Sequence, residues 1–266
     1  MVIIEKENFS VSQICSSGQC FRLDPADETG KVYELTAGDR YLKIEVAEDQ
    51  KKVRFYCTQE EFEQFWKTYF DLDTCYADYL SLIKDDEYLK KAAGFGSGIR
   101  ILQQDLWEMI ITFVISQQKT IPAIRSLVEA LAKAYGQKLA IPKECQELPF
   151  SSDCRDMDCG FFYAFPTPEE LAQASLSELQ SMKLGYRAKY IKRLCEDACS
   201  GALDLAHLSR LGYQEAMDYL QGFYGIGEKV ANCICLFGLH HIEAFPVDTW
   251  IEQILMAEYY RKRKKK

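Results

Sequence analysis

The chain has 266 residues, 48% of them hydrophobic and 27% charged, with a formal net charge of −8, enough length for one large domain or two modest ones. Its longest apolar stretches, WEMIITFVI and VANCICLFGL, fall far short of the roughly 20 residues a bilayer span needs, and the acid-bearing start MVIIEKENFS lacks a secretory apolar region. A soluble intracellular protein with no membrane association is expected.

The region from 30 to 57 alternates apolar and polar residues, with turn signals at Gly38-Asp39 and from Glu48 to Lys51, which predicts an antiparallel meander. After QEEFEQFWKTYF the periodicity becomes helical and stays so nearly to the end. Gly94, Gly96 and Gly98 mark a joint between the two regimes, giving an expected sheet domain over 1–97 and a helical domain over 98–266. Helices are expected near 103–117, 120–136, 168–183, 186–199, 213–222, 228–239 and 248–260, with TPEEL and SLSELQSM supplying N-terminal signals. The stretch 138–167 is less regular. The fold class is therefore α+β, a small antiparallel sheet followed by a mostly helical part.

Eleven cysteines lie scattered without zinc-like spacing, so reduced thiols are expected, and neither a metal nor a cofactor. Cys145, Cys154 and Cys159 form the one local cluster, and it lacks a fourth ligand. The acidity is mostly N-terminal: residues 1–92 hold 12 Lys and Arg against 19 Asp and Glu, residues 93–266 hold 20 against 21. That distribution weakens the objection that the net charge raises to a polyanionic partner. Two basic clusters stand out there, KLGYRAKYIKR at 183–193 and the terminal RKRKKK, each readable as a solvated face or as a nucleic-acid contact.

In FYGIGEKVANCICLFG, Gly225 and Gly227 flank Ile226 between two helical patterns, and Lys229 sits in the first turn of the second helix. A cation is disfavoured at that positive end of the helix dipole, so a purely structural lysine is badly placed. The glycines leave backbone N–H groups open to an anion such as a DNA phosphate, or make a plain turn between packed helices. Asp248, in FPVDTWI, suits an N-cap and equally a carboxylate that stabilises nearby positive charge.

Together these segments resemble the helix-hairpin-helix and Gly/Pro-rich loop with aspartate of a DNA glycosylase superfamily. SSGQCFRL, GIRILQQDLWEMIITFVISQQ and LGYRAKYI, in that order across about 230 residues, narrow the resemblance to the 8-oxoguanine DNA glycosylase/AP lyase family.

The resemblance implies that Lys229 attacks C1′ of the damaged nucleotide, forms a Schiff base and cuts the strand by β-elimination, with Asp248 stabilising the cationic sugar. An apolar pocket is expected around Lys229, because desolvation favours the neutral amine. Gly18 would accept the N7 hydrogen of 8-oxoguanine, and Cys233 would line the base pocket. Gln118 would fill the space of the flipped base, with Tyr186 wedging beside it and Arg187 touching the opposite base, while Gly225, Ile226 and Gly227 meet the phosphate backbone. The implied partner is double-stranded DNA containing oxidised guanine, bound by a monomer in a bacterial cytoplasm, or in a nucleus if the source is eukaryotic. A lyase-competent glycosylase for another damaged base, or a helix-hairpin-helix protein that grips DNA without cutting it, would carry similar motifs. Iron–sulfur relatives place four cysteines after the aspartate, and no cysteine here follows Cys235.

Three departures from the family pattern bear on specificity. Gln118-Lys119-Thr120 and Ala123 stand where consecutive asparagines and a cytosine-reading arginine are common, which implies a weakened preference for cytosine opposite the lesion. Trp250 replaces a histidine. Only 18 residues follow Asp248, and none matches the family's C-terminal phenylalanine and glutamine; either the chain is truncated or another segment completes the pocket.

Overall fold

The computed structural model describes residues 1–48, 52–83, 85–146, 148 and 160–260. The expected meander is present as β3 (Val32–Ala37), β4 (Arg40–Val46) and β5 (Lys52–Phe55), flanked by β1 (Val2–Glu5) and β2 (Leu23–Pro25) in the antiparallel order β1-β5-β4-β3-β2. Gly38, with φ +59°, makes the β3–β4 turn. β1 and β2 escape a periodicity reading because they are only 4 and 3 residues long. β4 is covered on both faces, with Tyr41, Leu42, Lys43 and Ile44 all buried, and the Lys43 ammonium meets the Leu148 carbonyl at 2.9 Å.

Among the described residues three hydrophobic clusters result, the smallest packing Tyr41 with Ile141, Cys145 and Phe162. Of the larger two, one joins the sheet to Val11–Ser16 and to Phe62, Trp66 and Phe70; the other gathers the downstream helices around Leu106–Ser116. Asp105 accepts from Glu108 N, so that helix starts at 106 rather than 103. The single helix expected over 168–183 is instead three pieces, Pro168–Ala172, Leu176–Leu179 and a π turn over Gln180–Leu184. Thr167 with Glu170, and Ser175 with Glu178, each form a complete capping box, so the chain restarts at Ser175. Gly94 lies within the helix Glu87–Phe95 and Gly96 caps it. Gly98 is a point of close approach, its carbonyl accepting from Ser10 N at 2.8 Å and its N–H donating to Gln13 Oε1 at 2.7 Å. Two members of the cysteine cluster, Cys154 and Cys159, and the RKRKKK tail lie outside the described residues.

Buried polar groups tie the sheet to the helices. Arg22 pairs with Glu129 at 2.6 Å and donates to the Tyr163 carbonyl, while Glu108 accepts from Gly38 N at 3.3 Å. Burial pushes the Glu108 carboxyl up to about 7, opposed by the nearby Arg22 guanidinium. A folded pKa above the unfolded one stabilises the fold at low pH, and that contribution is lost as pH rises toward 7. Wild type should therefore lose on the order of 2 kcal/mol between about pH 5 and pH 8 that Glu108→Gln keeps. Thermal melts across that range check this; parallel profiles for the two proteins would refute it.

Candidate active site

The helix-hairpin-helix spans Tyr213–Gln221, the turn through Gly225 and Gly227, and Glu228–Phe237. Gly225 has φ +95°, and a Cβ there would sit 2.6 Å from Tyr190 Cδ2, so only glycine lets the hairpin lie on that ring. Ile226 is buried between the glycines, 4% exposed, and anchors the turn in the helical core. Gly227 is exposed and opens the following helix, leaving its first N–H groups toward solvent.

Lys229 is exposed, which corrects the apolar burial expected for it. Val230, Ala231, Cys233, Ile234 and Cys235 occupy the inward faces of the helix, leaving the first-turn lysine on the rim. Its Nζ nevertheless lies 5.6 Å from the Phe113 ring centroid, and its charge acts on the buried Cys233 thiol four residues on. Burial pushes that thiol up and the Lys229 ammonium pulls it back, so Cys233 remains a neutral wall beside the amine. Asp248 acts on the same thiol electrostatically. Its Oδ1 accepts from Trp250 N at 3.0 Å and from Ile251 N at 2.8 Å, capping Thr249–Ile254.

Phe113 connects this site to the segment bearing Gly18. Its ring meets Phe21 edge-on at 6.1 Å and stacks on Phe237 at 5.5 Å. Gly18 has φ +76° and packs beside Ile121, and the buried Gln19 that follows fixes it. Gln19 donates to the Arg100 carbonyl, accepts from Leu102 N at 2.9 Å and, through its own carbonyl, accepts from Gln104 Nε2 at 2.8 Å. Gln104 N in turn donates to the Phe237 carbonyl at 3.0 Å, at the end of the helix that bears Lys229.

The residues expected to contact DNA form a second group. Gln118 is exposed at φ +52°, a left-handed conformation that a non-glycine residue adopts only under local constraint. The constraint comes from its neighbour: Gln117 donates to the Val114 carbonyl at 3.2 Å and to the Gly225 carbonyl at 3.0 Å. Tyr186 is exposed and packs edge-on to Tyr190, which meets Tyr224 beside the hairpin. Arg187 is not at the surface; it is 5% exposed, donates to the Gln117 and Leu184 carbonyls and lies over the Tyr186 ring. It therefore clasps the 116–120 loop to the 183–186 loop. Phe113 and Gln117 are neighbours of these residues that the sequence reading missed. Phe113 sits inside a helical pattern that reads as core, and Gln117 adjoins the residue singled out.

Among the described residues no helix is long and apolar enough to cross a membrane, and no group of three His, Cys, Asp or Glu side chains is placed to hold a metal ion.

Family models match in two pieces, one described as the N-terminal domain of 8-oxoguanine DNA glycosylase over residues 1–110, the other as HhH-GPD superfamily base excision DNA repair protein over residues 111–266. The fold is thus that of the HhH-GPD class of base-excision repair proteins. A Saccharomyces cerevisiae N-glycosylase/DNA lyase is 25% identical over 281 residues, covering 96% of this chain and 70% of its own length. An Arabidopsis thaliana N-glycosylase/DNA lyase is 33% identical over 178 residues, covering 63% of this chain and 44% of its own length. The structure of Clostridium acetobutylicum 8-oxoguanine glycosylase/lyase bound to DNA with cytosine opposite the lesion has a TM-score of 0.84 at 32% identity, covering 97% of this chain and 86% of that one. The chain belongs to the 8-oxoguanine DNA glycosylase/lyase family.

Proposed function

We propose that the protein excises 8-oxoguanine from duplex DNA and then cuts the strand, with Lys229 as nucleophile and Asp248 as its electrostatic partner. The observation that carries this reading is the placement of Lys229. An exposed amine at the hairpin, over an aromatic face and against a neutral thiol, can reach a sugar that is pushed out of the duplex.

Docked DNA supplies the desolvation that the chain alone does not, by covering the rim where Lys229 stands. The neutral amine attacks C1′ and the C1′–N9 bond breaks, its electron pair leaving with the base, which takes up a proton. The amine then loses a proton and the sugar ring opens to an imine. Loss of a C2′ proton expels the 3′ phosphate by β-elimination. Asp248 faces the positive charge that develops on the sugar as the base departs.

Gly18 presents a carbonyl to N7–H of the flipped base, a hydrogen that undamaged guanine lacks, and Cys233 lines the pocket. Gln118 fills the vacated stack with Tyr186 beside it, while the Gly225–Gly227 turn holds a backbone phosphate. Arg187 serves as a clasp for the two wedge loops, since reaching the opposite base would break both of its carbonyl bonds. With Ala123 at the second arginine position, preference for cytosine opposite the lesion is weak. One chain carries every group invoked, so a monomer suffices.

The test is borohydride trapping on labelled duplexes carrying one 8-oxoguanine opposite each base in turn. The expected result is a covalent adduct and strand incision with all four. Adducts formed only with other damaged bases, or binding without turnover, would overturn the reading.

A further inference from the structure

Asp248 is held by very little of the fold. Phe245, Val247, Asp248, Thr249 and Trp250 are all exposed, and the helix Thr249–Ile254 buries no residue. Apolar packing therefore fixes the carboxylate only weakly, through the half-buried Ile251, Ile254 and Leu255 and the edge contact of Tyr259 with Tyr88. The preceding loop leaves the lysine-bearing helix at Phe237 and is pinned by His241 N to the Cys235 carbonyl at 2.9 Å, and by the buried Ala244. After that comes one more attachment, Phe245 N to Asn232 Oδ1 at 3.2 Å. Among the described residues it is the last hydrogen bond between this loop and the hairpin before Asp248, three residues on. Pro246 has no N–H to add another and stiffens the connection.

Asn232 is suited to hold that point. It is 6% exposed and lies on the same helix as Lys229. Oδ1 accepts a second bond from Tyr213 Oη at 2.7 Å, at the start of the hairpin's first helix, and Nδ2 donates to the Glu228 carbonyl at 3.1 Å. One amide group thus ties both hairpin helices and the aspartate loop together, and a buried amide in three bonds is costly to displace.

We infer that Asn232 is a positioning residue, the strut that sets the Asp248 carboxylate against the Lys229 amine. The inference rests on the function proposed above and assigns Asn232 no contact with substrate. Asp248 stabilises charge as the base leaves, whereas imine formation at a site already lacking its base does not pass through that charged sugar. Loosening the strut should therefore slow base excision far more than incision of abasic DNA.

The experiment compares single-turnover excision of 8-oxoguanine, incision of a preformed abasic site and thermal melting for wild type, Asn232→Leu, Asn232→Asp and Tyr213→Phe. Asn232→Leu is expected to lower excision about 30-fold or more while abasic incision changes by less than about threefold. Asn232→Asp keeps both acceptor bonds and should return excision to within about threefold of wild type. Tyr213→Phe, a milder change, should show the same selective loss at a smaller scale. Equal losses in both reactions, or none in either, would overturn the inference and leave the proposed function standing. Wild type that cuts neither duplex would overturn that function and the inference with it.

Discussion

Lys229→Gln is expected to abolish the borohydride-trapped adduct and to lower strand incision at 8-oxoguanine by at least about 10³-fold, the scale on which a covalent nucleophile is felt. Stability should barely change, because the side chain is exposed and loses only its long approach to the Phe113 ring and its charge beside Cys233. Removing a cation from the positive end of its helix even favours the fold by a few tenths of a kcal/mol. Gel resolution of excision from incision separates two chemistries. A variant that still releases the base at near wild-type rate, leaving an uncut abasic strand, would show that water is the nucleophile. DNA binding should weaken only modestly, by about one phosphate-scale contact. A dead variant that no longer bound the duplex would instead point to a binding role for the lysine.

The parts of this protein that periodicity encodes were legible, and the parts decided by single buried polar groups were not. The meander and the helices Ile121–Tyr135, Arg187–Cys199 and Tyr213–Gln221 follow from apolar spacing alone. β1 becomes a strand only because Val2–Glu5 finds Lys52–Phe55 as partner, a pairing no local pattern announces. The segment 168–183 carried both capping signatures in plain view, and reading its apolar spacing as one helix passed over the second.

The site divides in the same way. Gly225, Gly227 and Lys229 could be singled out as a glycine pair and a misplaced cation, and Asp248 as an acid opening a helix, where it suits a cap as well as a charge-stabilising role. Phe113 could not, since its role comes from facing Lys229 across two helices rather than from its place in WEMIITFVI. Arg187 shows the limit most plainly. A basic segment reads as a solvated face, and nothing in KLGYRAKYIKR marks one arginine as enclosed by carbonyls from two separate loops. The exposure of Lys229 has a related origin, for apolar neighbours in sequence can all point into the core and leave the residue among them outside it.

Asp248→Asn is expected to lower excision of 8-oxoguanine about 10² to 10³-fold, the cost of removing one preorganised group aimed at developing charge. The substitution isolates charge from structure. Asparagine caps helices about as well as aspartate, and its Oδ1 can still accept from Trp250 N and Ile251 N, so melting should move by less than about 0.5 kcal/mol. Removing a negative charge from a surface that meets phosphates should leave duplex affinity unchanged or tighter. Slower excision with equal or stronger binding and an unaltered melt can then come only from the lost carboxylate charge. The measurement is single-turnover excision alongside affinity for a duplex with an uncleavable abasic analogue. Excision within about threefold of wild type would reduce Asp248 to a helix cap and would leave the positive charge on the departing sugar without its counterpart in this site.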